Sequence, residues 1–293
     1  MKASLALLTS LTAVAALTAG CSSSSTADTD AATGNPASYG DCPITGDTAT
    51  HELRTVGDGV LLVKADLPSP GWYNGDTVAD IDSGFDFCLL ANIAHRAGID
   101  DVSLQHTSFD GLVAGKAGDF DLSLNQITIT DERREVMDFS DPYFQSTAGI
   151  LAKAGADVTA ENLADQHLGV KQGTVGQLLV RDVIQPGEEP SVFPGDPEMQ
   201  AAVASGRVDA GIQDLSIVLG AAANSAGSLE VLGQIETDEA YGVMLPKDSP
   251  NTAVVNEILA ELKADGTLDK LSAEYLTDAY GVDPASIPVW PVS

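Results

Sequence analysis

The strongest constraint on the fold is an α/β pattern that is interrupted by a second α/β pattern and then resumes. Short apolar strands alternate with amphipathic helices from Leu61 to Leu124 and again from His167 to Leu232. The segment from Tyr241 onward, a strand followed by two helices, returns to the first unit in our interpretation. One lobe inserted into another requires two chain crossings, which we place at Phe139–Ile150 and Asp238–Val243. Two crossing strands form a hinge, and the two lobes are predicted to enclose a cleft that closes on a ligand.

Local signals assign the individual elements. Ser83 or Asp82 is predicted to cap the first helix, and Gly98 to end it. Period-two alternation and turn residues predict the strands, which are Leu61–Ala65, Asp101–Thr107, Asp119–Leu124, His167–Val170, Ser191–Phe193, Arg207–Gln213, Leu229–Leu232 and Tyr241–Leu245. Apolar stripes predict the helices, which are Phe85–Ala97, Phe109–Lys116, Gln177–Val183, Pro197–Ala204, Leu215–Ala223, Val255–Leu262 and Leu268–Tyr275.

Net charge narrows the classes of partner. The chain has 43 acidic and 14 basic side chains, a formal charge of −29 over 293 residues. Such a field repels phosphate backbones and anionic membranes, so no nucleic-acid partner is expected. The alternative interpretation is that the acidic residues form a solvated surface with no specific function.

The N-terminal segment is predicted to direct export. Residues 1–20 combine a positive start at Lys2, an uncharged apolar stretch from Leu5 to Leu17, and small residues before Cys21. This pattern is typical of a signal peptide, and its Gly-Cys end is similar to a bacterial lipobox. Cys21 is therefore the predicted lipidation site, with a plain secretory signal cleaved nearby as the alternative. Residues 21–50 form a predicted flexible tether and lead-in.

The remaining cysteines are Cys42 and Cys88. In an exported protein such a pair favours a disulfide, with two buried free thiols as the alternative. No metal site is expected, because the chain has no Cys-x-x-Cys or His-x-x-x-His spacing. It also has no Gly-x-Ser-x-Gly elbow and no phosphate-binding loop, so neither a catalytic constellation nor a cofactor is expected.

A charged stretch between two apolar segments holds the first candidate binding residue. Residues 125–144 open a charged turn with Arg133 just past a Thr-Ile-Thr strand end, where a guanidinium can grip a carboxylate with two prongs. In the second unit, Thr174 and the N–H of Val175 begin a helix, where a carboxylate is also favoured. The alternative is that the glycines around Thr174 are simple turn formers.

Five sequence blocks occur in an order that resembles bacterial family 3 solute-binding proteins, the amino-acid receptors of ABC importers. The blocks are Gly84–Phe87, Ser108–Leu112, Asn125–Tyr143, Ala204–Ala210 and Leu262–Leu268. The resemblance implies an α/β, two-lobed type II periplasmic-binding-protein fold with two hinge crossings. Lobe 1 is then expected to comprise residues 51–145 and 239–293, and lobe 2 residues 146–238.

The same resemblance assigns the grip on the ligand. Arg133 matches the arginine that clamps the ligand carboxylate, and Thr128 matches the hydroxyl beside it. Asp214 matches the acid that holds the α-ammonium. Two alternatives remain: Arg133 in a surface ion pair, and Asp214 as the cap of the helix that begins at Leu215.

Five further residues are predicted to line the ligand pocket. Phe109 is expected to cover the ligand, although a lone aromatic is more often in the core. Asp66 lies where some family members contact the ligand side chain, with a turn residue as the alternative. Trp72 replaces an aromatic of the relatives' pocket, and Gln126 replaces a small cleft residue. Lys171 matches a basic position of some members, or else points to solvent.

The resemblance implies a receptor on the extracytoplasmic face of the cell membrane, anchored by lipid alone. Its expected partners are a free amino acid, taken to be polar, and the ABC permease, and the protein is expected to be a monomer. Two other functions stay open. One is a small-carboxylate dehydratase on this fold, for which Asp66 or His106 could act as acid or base. The other is a sensor without transport.

Overall fold

The computed structural model describes residues 39–57 and 59–291, which contain two two-stranded sheets and one five-stranded sheet. The predicted signal peptide, Cys21 and the tether up to residue 38 lie outside the described residues. In the described part of the chain, no helix is both long enough and apolar enough to cross a membrane. The sheets confirm the α/β class and the two-lobed arrangement that the interrupted pattern predicts.

The first lobe is built on the parallel pair β1 (Val60–Ala65) and β2 (Asp101–His106). Isolated bridges extend this pair through Leu122 and Ser123, so the strand predicted at 119–124 is present only as single bridges. Helix α1 (Phe85–Arg96) covers the sheet with a face that is almost wholly buried. Its N-cap is Gly84, which forms no side-chain cap, so the predicted cap at Ser83 or Asp82 is wrong.

Two short helices complete the approach to the hinge. Helix α2 (Phe109–Val113) is shorter than predicted. Helix α3 (Asp131–Val136) replaces the charged turn that we expected around Arg133. Thr130 caps α3 by accepting a hydrogen bond from the N–H of Arg133. Strand β3 (Met137–Phe139) follows at once, so the helix that carries Arg133 leads directly into a strand.

The second lobe is a five-stranded mixed sheet in the order β6-β5-β7-β4-β8. Its strands are β4 (Phe144–Lys153), β5 (Leu168–Lys171), β6 (Ser191–Phe193), β7 (Ala210–Asp214) and β8 (Leu229–Tyr241). Its helices are α4 (Val175–Leu179), α5 (Asp196–Ser205) and α6 (Leu215–Ala223). Parallel β5 and β7 end at the same edge, which brings their C-terminal residues together at the cleft.

The two crossings form one antiparallel ribbon. Strands β4 and β8 pair from Phe144–Tyr241 at the first-lobe end to Lys153–Leu229 at the far end. We expected separate strands at 229–232 and 241–245, but β8 runs unbroken over 13 residues and β9 (Met244–Pro246) follows. The predicted lobe boundaries, 145/146 and 238/239, both fall inside this ribbon; they remain predictions.

The chain then returns to the first lobe, as the interrupted pattern predicts. Strand β9 pairs with β3, and helix α7 (Thr252–Ala264) packs against α1. Helix α8 (Thr267–Ser272) continues through a π-helical turn into α9 (Asp278–Tyr280). Cys42 and Cys88 form a disulfide, which ties the lead-in segment to α1.

Candidate functional site

Arg133 reaches into the cleft from α3 as a nearly buried cation. Its side chain is 7% exposed, and its two terminal nitrogens donate to the carbonyl oxygens of Thr128 (2.5 Å) and Gly173 (2.9 Å). Within residues 39–57 and 59–291, no carboxylate oxygen lies within 4.0 Å of its guanidinium. Because Gly173 belongs to the second lobe, this side chain also bridges the cleft.

Asp214 faces Arg133 from the end of β7. It is buried, and its Oδ2 accepts a hydrogen bond from the hydroxyl of Tyr241. Burial, and then the nearby negative charge of Glu239, raise the pKa of Asp214 to about 8, although Tyr241 and Arg133 oppose that shift. Asp214 is also the N-cap residue of α6, but its side chain forms no capping hydrogen bond. The capping alternative is therefore wrong for the side chain.

Glu239 is a second buried carboxylate, and it is not among the predicted site residues. It lies on β8 with 4% of its surface exposed, and the hydroxyl of Thr128 donates to its Oε2 at 3.2 Å. Its Oε1 is buried and accepts no hydrogen bond of normal geometry. Burial raises the pKa of Glu239, while hydroxyl groups and Arg133 offset part of that effect. The only sequence feature that could have indicated Glu239 as a site residue is its position on an acidic crossing strand. Its pairing with Thr128 is not visible in the sequence.

Lys171 and Asp66 form an ion pair across the cleft. The Nζ of Lys171 lies 2.7 Å from Asp66 of the first lobe and 2.8 Å from Asp196 of the second. Burial alone would lower the pKa of Lys171, but Asp196 and Asp66 raise it above its ordinary value. The ring of Phe109 lies 4.9 Å from that Nζ and 5.5 Å from the Arg133 guanidinium carbon. The solvent-facing alternative for Lys171 is wrong, and Asp196 was not predicted.

Thr174 and Val175 lie opposite Arg133 at the start of α4. Thr174 is the N-cap: its hydroxyl accepts from the N–H of Gln177 at 3.2 Å and donates to the carbonyl of Lys171 at 2.8 Å. These bonds hold the turn in place. Thr174 is thus a capping residue as well as a wall of the cleft.

Gln126 lines the cleft while its side chain is held from behind. Its Nε2 donates to Asp86 at 2.6 Å, and its Oε1 accepts from Ser69 at 3.0 Å. Its backbone adopts a left-handed conformation, with φ of +49°, which side chains other than glycine and asparagine rarely take. Burial raises the pKa of Asp86 to about 7 against the hydrogen bonds from Gln126. The amide is therefore a rigid wall of the cleft.

Trp72 does not lie with the residues around Arg133 that line the cleft. Its ring packs edge-on against Phe85, Phe144 and Tyr241 with centroid distances of 5.2–5.7 Å, and only 1% of its surface is exposed. Apolar burial at the hinge holds the ring, so Trp72 does not line the clamp, and its predicted contact with the ligand stays a prediction. It borders a neighbouring cavity instead.

The remaining predicted residues, except Asp66, surround one small cavity of about 10 Å³ between the lobes. Asp66 borders a separate cavity and reaches the clamp only through its ion pair with Lys171. Its walls are Phe109, Asn125, Gln126, Thr128, Arg133, Lys171, Thr174, Val175, Gln213, Asp214 and Ile217. The guanidinium of Arg133 has no carboxylate within 4.0 Å among the described residues, and the buried carboxylates of Asp214 and Glu239 lie farther away. Separated positive and negative groups of this kind suit a zwitterion. Among the described residues, no group of three or more His, Cys, Asp or Glu side chains could hold a metal ion.

Comparisons with known proteins agree with this geometry. Residues 66–278 match the family described as "Bacterial extracellular solute-binding proteins, family 3". The L-cystine-binding protein TcyJ of Escherichia coli (strain K12) is 31% identical over 198 residues, covering 66% of this chain and 74% of TcyJ. The glutamine-binding protein GlnH of Bacillus subtilis (strain 168) is 31% identical over 211 residues, covering 69% of this chain and 74% of GlnH.

Among solved structures, the arginine-, lysine-, histidine-binding protein ArtJ of Geobacillus stearothermophilus has a TM-score of 0.65 and 30% identity. That match covers 73% of this chain and 94% of ArtJ. The chain belongs to family 3 of the bacterial extracellular solute-binding proteins.

Proposed function

We propose that this protein is a receptor that binds a free α-amino acid between its lobes and delivers it to an ABC permease. The observation that carries the proposal is the buried guanidinium of Arg133, which has no carboxylate within 4.0 Å in the described residues. A buried charge is stabilised when a paired group of opposite charge replaces its lost hydration. The ligand carboxylate is that group.

The ammonium end of the ligand is assigned to Asp214. This acid is buried opposite Arg133, and a bound ammonium would favour its ionised form. Thr128 and Thr174 line the same cavity and supply neutral oxygen atoms beside the two charges. The relatives support an amino-acid ligand, since their names give amino acids as ligands: cystine, glutamine, and arginine, lysine and histidine.

Lipid attachment at Cys21 on the extracytoplasmic face, a monomeric state and the permease partner complete the proposal. Binding without turnover is the favoured activity. Asp66 is engaged by Lys171 at 2.7 Å, and the Nδ1 of His106 accepts from the N–H of Leu67 at 3.1 Å. Asp66 and His106, the two residues considered as a catalytic acid or base, therefore both already form structural contacts.

Isothermal titration calorimetry with the twenty amino acids and L-cystine tests the binding step. We expect at least one of these ligands to bind in one-to-one stoichiometry with a micromolar or lower Kd. Absence of binding to any of them would contradict the proposal. Incubation of the bound ligand with the protein, followed by mass spectrometry, should return it unchanged; a new product would favour the enzyme alternative.

A further inference from the structure

A larger cavity, of about 360 Å³, lies beside the clamp between the same two lobes. The first lobe contributes the loop Pro68–Trp72, and the second lobe contributes α5 and α6. Small-molecule sites usually occupy about 300–1,000 Å³, so this cavity has the size of a binding compartment, whereas the clamp alone does not.

The cavity adjoins the clamp through shared side chains. Ile217, on the first turn of α6, lines both spaces. Asp196 lines the larger cavity and holds Lys171, which lines the clamp. Asp214 lines the clamp and immediately precedes α6, so the clamp lies beside the end of α6 at which Ile217 borders the larger cavity.

The length of the cavity follows from α6. Its lining residues on this helix run from Ile217 to Asn224, which corresponds to ~10 Å at the helical rise of 1.5 Å per residue. The carbonyl oxygen of Pro70 lies only about 4.0 Å from where a Cβ on Gly220 would stand, so the loop closes over the helix midway. A side chain of about seven or eight bonded atoms would cover this distance at extended-chain spacing.

The walls of the cavity specify the chemistry of such a side chain. Most of the lining is apolar, and it comprises Pro68, Pro70, Trp72, Pro197, Ala201, Ala204, Ile217, Gly220, Ala221 and Leu229. Neutral amide and hydroxyl groups occupy the remainder, on Ser69, Gln200, Asn224, Ser225 and Ser228. The charged residue among the lining residues, Asp196, is already paired with Lys171. A charged side-chain tip would thus lose hydration without gaining a free counter-ion.

We infer that this cavity is the side-chain compartment of the ligand site, and that it selects α-amino acids with a long, uncharged side chain ending in a hydrogen-bonding group. Nε-acetyl-L-lysine and L-citrulline have this chemistry, whereas L-lysine carries a charged tip and L-alanine leaves the compartment unfilled. The inference rests on the proposed function, because it assumes that the amino-acid end is held by Arg133 and Asp214.

The test compares these four probes by calorimetry on the full protein and on two cavity-filling variants. Ala221→Phe enlarges a lining residue on α6, and Ala204→Leu enlarges one on α5. Ala223→Phe is the matched control, since Ala223 is exposed on the same helix and is not part of the lining. Circular dichroism and thermal unfolding verify that each variant is folded.

We expect Nε-acetyl-L-lysine and L-citrulline to bind the wild type at least about tenfold more tightly than L-lysine or L-alanine. Either cavity-filling variant should weaken these two probes at least about tenfold and leave L-alanine within about twofold, while Ala223→Phe changes neither. Equal binding of long and short probes, or an equal loss for both in the filled variants, would overturn the inference and leave the proposed function standing. If neither these probes nor any of the twenty amino acids or L-cystine binds, the proposed function itself fails.

Discussion

At the scale of single residues, the clearest prediction concerns the contribution of Arg133 to ligand binding. Removing its guanidinium leaves the ligand carboxylate without its charged partner in a desolvated cleft. We expect Arg133→Ala to weaken amino-acid binding by at least about 2 kcal/mol, or about thirtyfold in Kd. Calorimetry with the best-binding amino acid measures the change.

Arg134→Ala is the control for Arg133→Ala. Arg134 is exposed and lies 5.9 Å from the ring of Phe139, away from the cleft lining. Its removal should leave the Kd within about twofold. A wild-type Kd for the Arg133 variant would remove that residue from the site.

The buried pair of Asp214 and Glu239 predicts how stability depends on pH. Arg133, Tyr241 and Asp196 are the other charged or titratable groups that act on Asp214. Because the pKa of Asp214 is about 8 in the folded protein, the folded state binds more protons than the unfolded state between about pH 4 and pH 8. The unfolding free energy contributed by this group therefore falls as pH rises through that window.

Glu239→Gln should raise the stability of the ligand-free protein at pH 8, by roughly 1–2 kcal/mol, because it removes one of two repelling carboxylates. It should also flatten the fall in Tm between pH 5 and pH 8.5, although Asp86, with its pKa of about 7, keeps part of the slope. Thermal unfolding measures both effects. Glu236→Gln, at an exposed position of the same strand, should change neither. A lower Tm for Glu239→Gln at pH 8 would show that Glu239 is held by stabilising contacts instead.

At the scale of elements, the bounds of a helix could be predicted from the sequence where the local residue pattern determines them. Helix α6 has the predicted bounds, because an apolar run without Pro favours one continuous helix, and the single interior glycine, Gly220, does not interrupt it. Helix α3 was missed although its signals were present: Thr130 as the cap and two acids in the first turn. The charged run Asp131–Glu135 is helical, not the turn that we expected.

Elements that depend on long-range pairing could not be predicted in the same way. Strand β8 contains polar residues around Thr237 and a glycine at position 233, both of which weaken a strand signal. Its partner β4, some 80 residues away in the chain, supplies the hydrogen bonds that hold it extended. Gly233 itself fits beneath Trp290, since a Cβ there would stand 2.3 Å from the ring. The contact between Glu239 and Thr128 also depends on long-range pairing, so it could not be predicted from the sequence.

The disulfide between Cys42 and Cys88 is predicted to stabilise the first lobe without affecting the ligand. The bond spans 46 residues and joins the lead-in segment to α1. Closing a loop of that length stabilises a protein by ~3–4 kcal/mol through the unfolded state. Cys42→Ala/Cys88→Ala should therefore lower the urea-unfolding free energy by about that amount, with the ligand Kd within about twofold. An unchanged unfolding free energy would contradict this role.

At the scale of the whole molecule, the contacts that close the cleft are the contacts that would hold the ligand. Arg133 bonds to Gly173 across the lobes at 2.9 Å, and Lys171 pairs with Asp66 at 2.7 Å. The clamp between them encloses about 10 Å³, which is space for about one water molecule. An amino acid therefore cannot enter unless the lobes separate along the β4–β8 ribbon.

A disulfide across the cleft tests this requirement for opening. A Cβ built on Gly173 stands 3.4 Å from the Cβ of Asp110, close to the separation of about 3.5–4.5 Å found in disulfides. Asp110→Cys/Gly173→Cys should therefore lock the lobes together, at a strain of ~1–2 kcal/mol from the φ of +77° at position 173. Oxidised without ligand, the variant should bind the best amino acid at least about a hundredfold more slowly than when reduced. Loaded first and then oxidised, it should retain the ligand through dialysis. The two single variants are the controls, and fast binding to the oxidised, ligand-free protein would show that the ligand enters without lobe opening.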